Sequence, residues 1–267
     1  MRSMEITEAT WDRLLALRQG ADDVAATDAA HALYSPIAGA REQFVLAQVG
    51  QSLDGRVATP AGDARDISGP DGLAHLHRCR ALVDAVIVGV GTVRADDPKL
   101  SVRMVKGPAP VRVVVDCHAV LEGGESLFHD GGTNVIVFRS ANAKGRALPG
   151  AEVIDLQPKA RGLDPQDILD ALARRNLLRV LVEGGARTIA RFIDAGLVDR
   201  LHVAISPIII GSGPSGIMLS PIERLAGAHR PVTEVYNLGS DILFDCRLER
   251  ARVSDRQGQQ VRVADPA

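Results

Sequence analysis

Two apolar runs in this chain, Ala85–Val88 and Val180–Val182, each lead into glycines, and this repeated junction restricts the possible folds more than any other feature of the sequence. The second run continues as Glu183-Gly184-Gly185-Ala186-Arg187-Thr188 and enters an amphipathic helical pattern over Ala186–Ala195. Glycine lets a backbone approach a ligand closely, and the first N–H groups of a helix point outward with the positive end of its dipole behind them, so a phosphate fits such a place. Plain turn chemistry gives the same pattern, and the junction alone leaves both readings open. The first run continues as Gly89-Val90-Gly91-Thr92-Val93, but Arg94 takes the position of the third glycine, so the dinucleotide fingerprint of the doubly wound fold is not met. Two such junctions suit two segments of one extended cofactor, or a cofactor facing a substrate, along a single cleft.

The rest of the chain alternates in the same way. Apolar runs at Phe44–Val49, Ala85–Val90, Val111–Val115, Val135–Phe138, Val180–Val182 and Leu201–Ile210 are separated by helical patterns at Pro70–Arg80, Asp167–Arg175 and Ala186–Ala195, the signature of an α/β fold. Ser68, Pro70 and Asp71 resemble a capping signature for a helix whose inward stripe would be Leu73, Leu76 and Cys79. Val232–Leu238 and Asp241–Arg247 flank Gly239-Ser240 as an antiparallel hairpin, which makes the expected sheet mixed. Thr7 or Thr10 can cap a first helix ended by Gly20, and Asp22–Leu33 reads as an Ala-rich second one. The expected division is a helical N-terminal extension over 1–40, a main domain over 41–254 and a flexible tail over 255–267.

Composition excludes several classes. A net charge of −2 and 3% aromatic residues leave neither an electrostatic footprint nor stacking platforms for nucleic acid. Cys79, Cys117 and Cys246 form no C-x-x-C pair and have no adjacent histidine at zinc-ligand spacing, so a reduced, cytoplasmic chain without a metal is expected. His75 and His77 splay apart on a helix and do not suggest a metal pair. No apolar run reaches membrane-spanning length and no export signal is read.

Taken together, S-L-D-G-R at Ser52–Arg56, D-A-V-I-V-G-V-G-T-V-R-A-D-D-P-K-L at Asp84–Leu100, R-V-V-V-D at Arg112–Asp116 and V-E-G-G-A-R-T at Val182–Thr188 resemble the pyrimidine reductase family of riboflavin biosynthesis, over about Phe44 to Leu248. The resemblance implies a dihydrofolate-reductase-like fold, a mixed central sheet flanked by helices, usually homodimeric. It also implies reduction of the ribosylamino group of a pyrimidine 5′-phosphate to a ribitylamino group, with hydride passing from NADPH, or alternatively NADH, to an open-chain imine at C1′. Carried over by position, cofactor contacts fall on Gly50, Thr92, Asp96 and the segment from Gly184, Gly185, Ala186, Arg187 and Thr188 to Arg191. Substrate contacts fall on Arg80, Leu100, Arg103 and Glu183. Arg80 and Arg103 suit a guanidinium clamp on the 5′-phosphate. Glu183 is the candidate catalytic carboxylate, with a helix-dipole partner as its alternative. Asp54 is a second catalytic candidate that equally suits a tight turn, and Asp97, before Pro98, is expected to be structural. A cofactor 2′-phosphate wants a basic or hydroxyl-bearing neighbour, and Arg139-Ser140 is the best candidate in the sequence.

The chain departs from many bacterial members at Gln48, where they carry lysine, Ala64 (serine), Asp66 (tryptophan) and Cys117 (serine). The lysine is absent from stand-alone archaeal-type reductases too, which act on the diaminopyrimidinone before deamination, and this chain's pattern is closer to theirs. It has no H-x-E and no P-C-x-x-C, so deaminase chemistry is not expected. The alternatives are a reductase of the same fold acting on a pterin or dihydrofolate-like molecule, and a non-catalytic nucleotide-binding protein.

Overall fold

The computed structural model describes residues 1–23 and 28–249. In chain order the elements are β1 (Arg2–Ser3), α1 (Glu8–Arg18), α2 (Ala29–Ala38), β2 (Phe44–Ser52), α3 (Pro70–Leu82), β3 (Ala85–Gly89), α4 (Val90–Asp96), β4 (Val111–Val115), β5 (Val135–Ser140), β6 (Ala151–Leu156), α5 (Pro165–Ala173), β7 (Arg179–Glu183), α6 (Ala186–Asp194), β8 (Arg200–Ser206), β9 (Val232–Asn237) and β10 (Ile242–Arg247). The strands make one sheet in the order β1-β9-β10-β8-β2-β7-β3-β4-β5-β6. Every pairing is parallel except those of β10 with β8 and β9, so the sheet is mixed, as the hairpin pattern requires.

Successive side chains on a strand point to opposite faces, and the apolar runs therefore feed two cores. Leu46, Val86, Val88, Leu181 and Leu243 pack with Trp11, Leu14, Leu33, Tyr34 and Leu82 from α1, α2 and α3 on one face. Val45, Ala47, Ile87, Val180 and Val182 pack with Ile168, Leu172, Ile189 and Phe192 from α5 and α6 on the other. Parallel strands put their carboxyl ends on one edge, where a ligand cleft of an α/β sheet forms. Ser52, Glu183, Gly89 and Ser140 all finish strands there.

Several local expectations change. Ser68 does not cap α3: the cap position is Gly69, and the carboxylate of Asp241, arriving with the β9–β10 hairpin, accepts from the Gly69 and Gly72 N–H groups at 3.0 and 3.2 Å. Asp71 turns away to accept from Ser240 N–H at 2.9 Å. Leu73 is exposed, Cys79 is buried as expected, and His75, His77 and Arg80 are buried along α3 as well. The second helix begins at Ala29, capped by Asp28, rather than at Asp22. β8 stops at Ser206 because Pro207 has no N–H to continue the ladder. The tail expected over 255–267 lies outside the described residues, among which no helix is long and apolar enough to cross a membrane.

Candidate active site

The two glycine junctions meet. Gly184 and Gly185 have φ of +67° and +74°, backbone that side chains rarely adopt, and Gly185 is the cap residue of α6 with no side chain capping it. A Cβ on Gly185 would lie 3.2 Å from Thr92 Oγ1 and 3.3 Å from Thr188 Oγ1, and one on Gly89 only 2.5 Å from Thr188 Oγ1. Thr92, Gly184, Gly185 and Thr188 therefore lie side by side at the start of α6, where the first N–H groups of a helix lack partners inside it. Such a cradle, small and donor-rich at a helix start, fits a pyrophosphate. Gly50 faces Ser68, whose Oγ would stand 2.5 Å from a Cβ there, so β2 presents bare backbone to the same edge.

Beside the cradle, Glu183 and Arg80 form a bidentate ion pair: Nε donates to Oε2 at 2.8 Å and Nη2 donates to Oε1, while Nη1 donates to the Ser101 carbonyl at 3.0 Å. Burial alone would lower the Arg80 pKa, but the Glu183 carboxylate outweighs it and the net shift is upward. Of the two arginines expected to clamp a phosphate, Arg80 is 5% exposed and already paired with Glu183, and Arg103 lies open to solvent. Arg80 instead organises Glu183 and the 101–103 loop, and Arg103 is the guanidinium presented outward. Leu100 enters this loop with φ +53° and its side chain buried at 1% exposure, so any contact it makes with substrate is through backbone.

His77 was missed as a site residue. It is buried, and its Nδ1 accepts from the Arg103 N–H at 3.2 Å. Burial first, then the charges of Arg80 and Arg103, push its pKa down to about 4, so at neutral pH it is an uncharged acceptor. Its i, i+3 spacing to Arg80 on one helix face was the available signal.

Asp54 and Arg139 have other surroundings than expected. The Asp54 carboxylate accepts from Ser52 Oγ at 2.6 Å, Ile210 N–H at 3.1 Å and Gly211 N–H at 2.7 Å, and these bonds, that from Ser52 foremost, lower its pKa to about 2. That is the geometry of a loop clamp, the turn reading of this residue. Arg139 is 5% exposed, beneath the loop after β5; Nη1 donates to the Arg146 carbonyl at 2.8 Å, whereas Nε and Nη2 have no hydrogen-bond partner. Asp96 closes α4, where loss of solvent raises its pKa. Asp97 accepts from Ser126 N–H at 2.9 Å and Oγ at 2.5 Å, the structural role its place before proline suggests. The R-V-V-V-D motif is structural at both ends: Arg112 pairs with Asp130 at 2.8 Å, and Asp116 accepts from Val120 and Leu121 N–H at 2.9 and 3.0 Å.

The family model described as the RibD C-terminal domain matches residues 43–244. Over 215 residues the chain is 31% identical to a 2,5-diamino-6-ribosylamino-4(3H)-pyrimidinone 5′-phosphate reductase of Methanothermobacter thermautotrophicus, covering 76% of this chain and 96% of that protein. It is 31% identical over 207 residues to the riboflavin biosynthesis protein RibD of Aquifex aeolicus, covering 75% of this chain and 56% of the relative, so it spans little more than half of that protein. Among solved structures, a Thermotoga maritima diaminohydroxyphosphoribosylaminopyrimidine deaminase/5-amino-6-(5-phosphoribosylamino)uracil reductase superposes with a TM-score of 0.68 at 29% identity, over 78% of this chain and 57% of that one.

Proposed function

The chain belongs to the RibD C-terminal domain family, and from that membership we propose that it reduces the ribosylamino group of a pyrimidine 5′-phosphate to a ribitylamino group in riboflavin biosynthesis. The preferred substrate is the 2,5-diaminopyrimidinone, the form named for the archaeal relative that the chain covers almost end to end. The observation that carries the reading is the Arg80–Glu183 pair beside a glycine cradle at the carboxyl edge of the sheet. When bound, a reduced nicotinamide supplies the hydride. Reduction of the substrate's C1′=N bond would place hydride on carbon and a proton drawn from solvent on nitrogen. The Gly184–Gly185 backbone and the start of α6 hold the pyrophosphate. Glu183, fixed by Arg80, has lone pairs left to accept from ribose hydroxyls and so aligns C1′. Arg103 grips the 5′-phosphate while neutral His77 holds its backbone.

The donor proposed is NADPH. Arg139 ends up three strands from β7, roughly 14 Å by strand spacing, and the two partnerless nitrogens would be satisfied by a 2′-phosphate once the 141–146 loop shifts. We place the enzyme in the cytoplasm, in keeping with its isolated cysteines, and propose a homodimer because Ile209, Met218, Ile222 and Leu225 leave an apolar segment exposed. Turnover of the diamino- and the deaminated pyrimidine phosphates, each with NADPH and NADH, tests the reading. Activity is expected with NADPH and is expected to be greatest on the diamino form. Failure to oxidise either cofactor with either substrate would overturn it.

A further inference from the structure

Behind the cleft, on the face of α3 turned to the sheet, His75 and Cys79 stand one helical turn apart above His202 of β8. All three are fully buried. His75 Nε2 and His202 Nδ1 are 3.2 Å apart, and Cys79 Sγ lies 3.6 Å from the first and 3.9 Å from the second. Ligands on a zinc ion with bonds of about 2.0–2.3 Å stand some 3.3–3.6 Å from one another, and a triangle with the edges found here has its centre about 2.1 Å from each corner.

We propose that His75, Cys79 and His202 bind a thiophilic d10 cation, zinc foremost, at a structural site separate from the reductase cleft. Two nitrogens and one sulfur suit such an ion and not magnesium or calcium, which require oxygen donors. The outer contacts are those of a metal site. Ligation through Nε2 leaves His75 Nδ1 for Tyr34 Oη, 2.7 Å away. Ligation through Nδ1 leaves His202 Nε2–H facing Asp245 Oδ1 at 3.4 Å, and these two atoms are buried with no other partner. A carboxylate behind a histidine fixes the tautomer and raises the basicity of a metal-bound ring. A chain of hydrogen bonds from Tyr34 through His75 to His202 accounts for the rings without an ion and leaves Cys79 as a buried core thiol with weak contacts to both rings, whereas an ion gives its sulfur a ligand's place. The sequence signal was the i, i+4 spacing of His75 and Cys79, overlooked when His75 was paired with His77. The site joins α3 to β8 one residue before Arg80 and would hold that arginine's helix in place. The inference is independent of the substrate.

The test uses the full chain, stripped with a chelator and titrated with zinc and, in a separate arm, with copper(I), each against a chromophoric competitor. One equivalent of at least one ion is expected to bind. Cobalt(II) at the same stoichiometry is expected to give a thiolate charge-transfer band that Cys79→Ser abolishes. Affinity is expected to fall about 10–100-fold in Asp245→Asn, a variant that keeps all three ligands and the side-chain shape. Chelator should lower the thermal midpoint of the parent. Binding of neither ion by the parent, or cobalt spectra and affinity unchanged in Cys79→Ser, would overturn the proposal. If Cys79→Ser does not fold, the parent titration and Asp245→Asn decide it.

Discussion

Arg80 and Glu183 answer to each other before they answer to a ligand. Removing one partner of a nearly buried pair leaves the other without compensation, so each loss carries more than its own contact. Arg80→Met and Glu183→Gln are each expected to cost roughly 1–3 kcal/mol, with the double variant no worse than the larger single one. Urea denaturation of the four proteins gives the coupling, and simple additivity would show that the pair contributes nothing as a pair. Both single variants are expected to lower kcat. Arg103→Ala, which leaves the pair intact, should chiefly raise KM, on the order of ten- to a hundredfold for one charge-assisted phosphate contact. Asp54 makes the opposite case. Its folded pKa of about 2 lies below the ordinary aspartate value, so its clamp is fully formed above that ordinary value and is lost as pH falls toward about 2. It stays ionised through the working range, and Asp54→Asn should leave the shape of the kcat profile unchanged between about pH 5 and 8. The variant should also loosen the 208–211 loop to proteolysis; disappearance of an acidic limb would instead make Asp54 a proton carrier.

Among the elements, the interlocking of α4 and α6 follows from the absence of side chains at Gly89, Gly184 and Gly185. Gly89→Ala puts a methyl 2.5 Å from Thr188 Oγ1, with the Thr188 Cβ at 3.8 Å. It is expected to weaken cofactor binding by tilting the start of α6, and adding Thr188→Ala should restore much of it. A fluorescence titration that found no recovery in the double variant would place the strain elsewhere. Gly185→Val should abolish binding outright, since it adds both bulk and a branched residue at positive φ. These junctions were legible in the sequence because strand, glycine and helix are neighbours along the chain. The cap of α3 was not, since Asp241 comes from 172 residues beyond Gly69, and only the hairpin brings it there. β6 escaped for another reason: as an edge strand it exposes Glu152, Val153 and Asp155, so it lacks the apolar run that marks the buried strands. Glu183, Arg80 and Arg103 enter as a candidate set through family resemblance alone. That Arg80 serves Glu183 was not legible, because the contact spans 103 positions.

For the whole molecule, the sheet order sets a calendar. β3, β4, β5 and β6 are consecutive in the chain and adjacent in the sheet, so their pairings close short loops. β2 pairs only with β7 and β8, whose residues begin at Arg179 and Arg200, so the strand near the middle of the sheet waits for the chain's last third. Closing long loops is slow. In refolding followed by pulsed hydrogen exchange, amides of β3, β4 and β5 are expected to gain protection before those of β2; simultaneous or earlier protection of β2 would remove the argument. During synthesis the same order leaves Val45, Leu46, Ala47 and Val49 as an unpaired apolar strand while more than a hundred further residues are made. The interval in which this protein is most exposed to aggregation or to a chaperone is therefore written into where β2 sits, and a ribosome stalled before Arg179 would hold a nascent chain with both edges of that strand open.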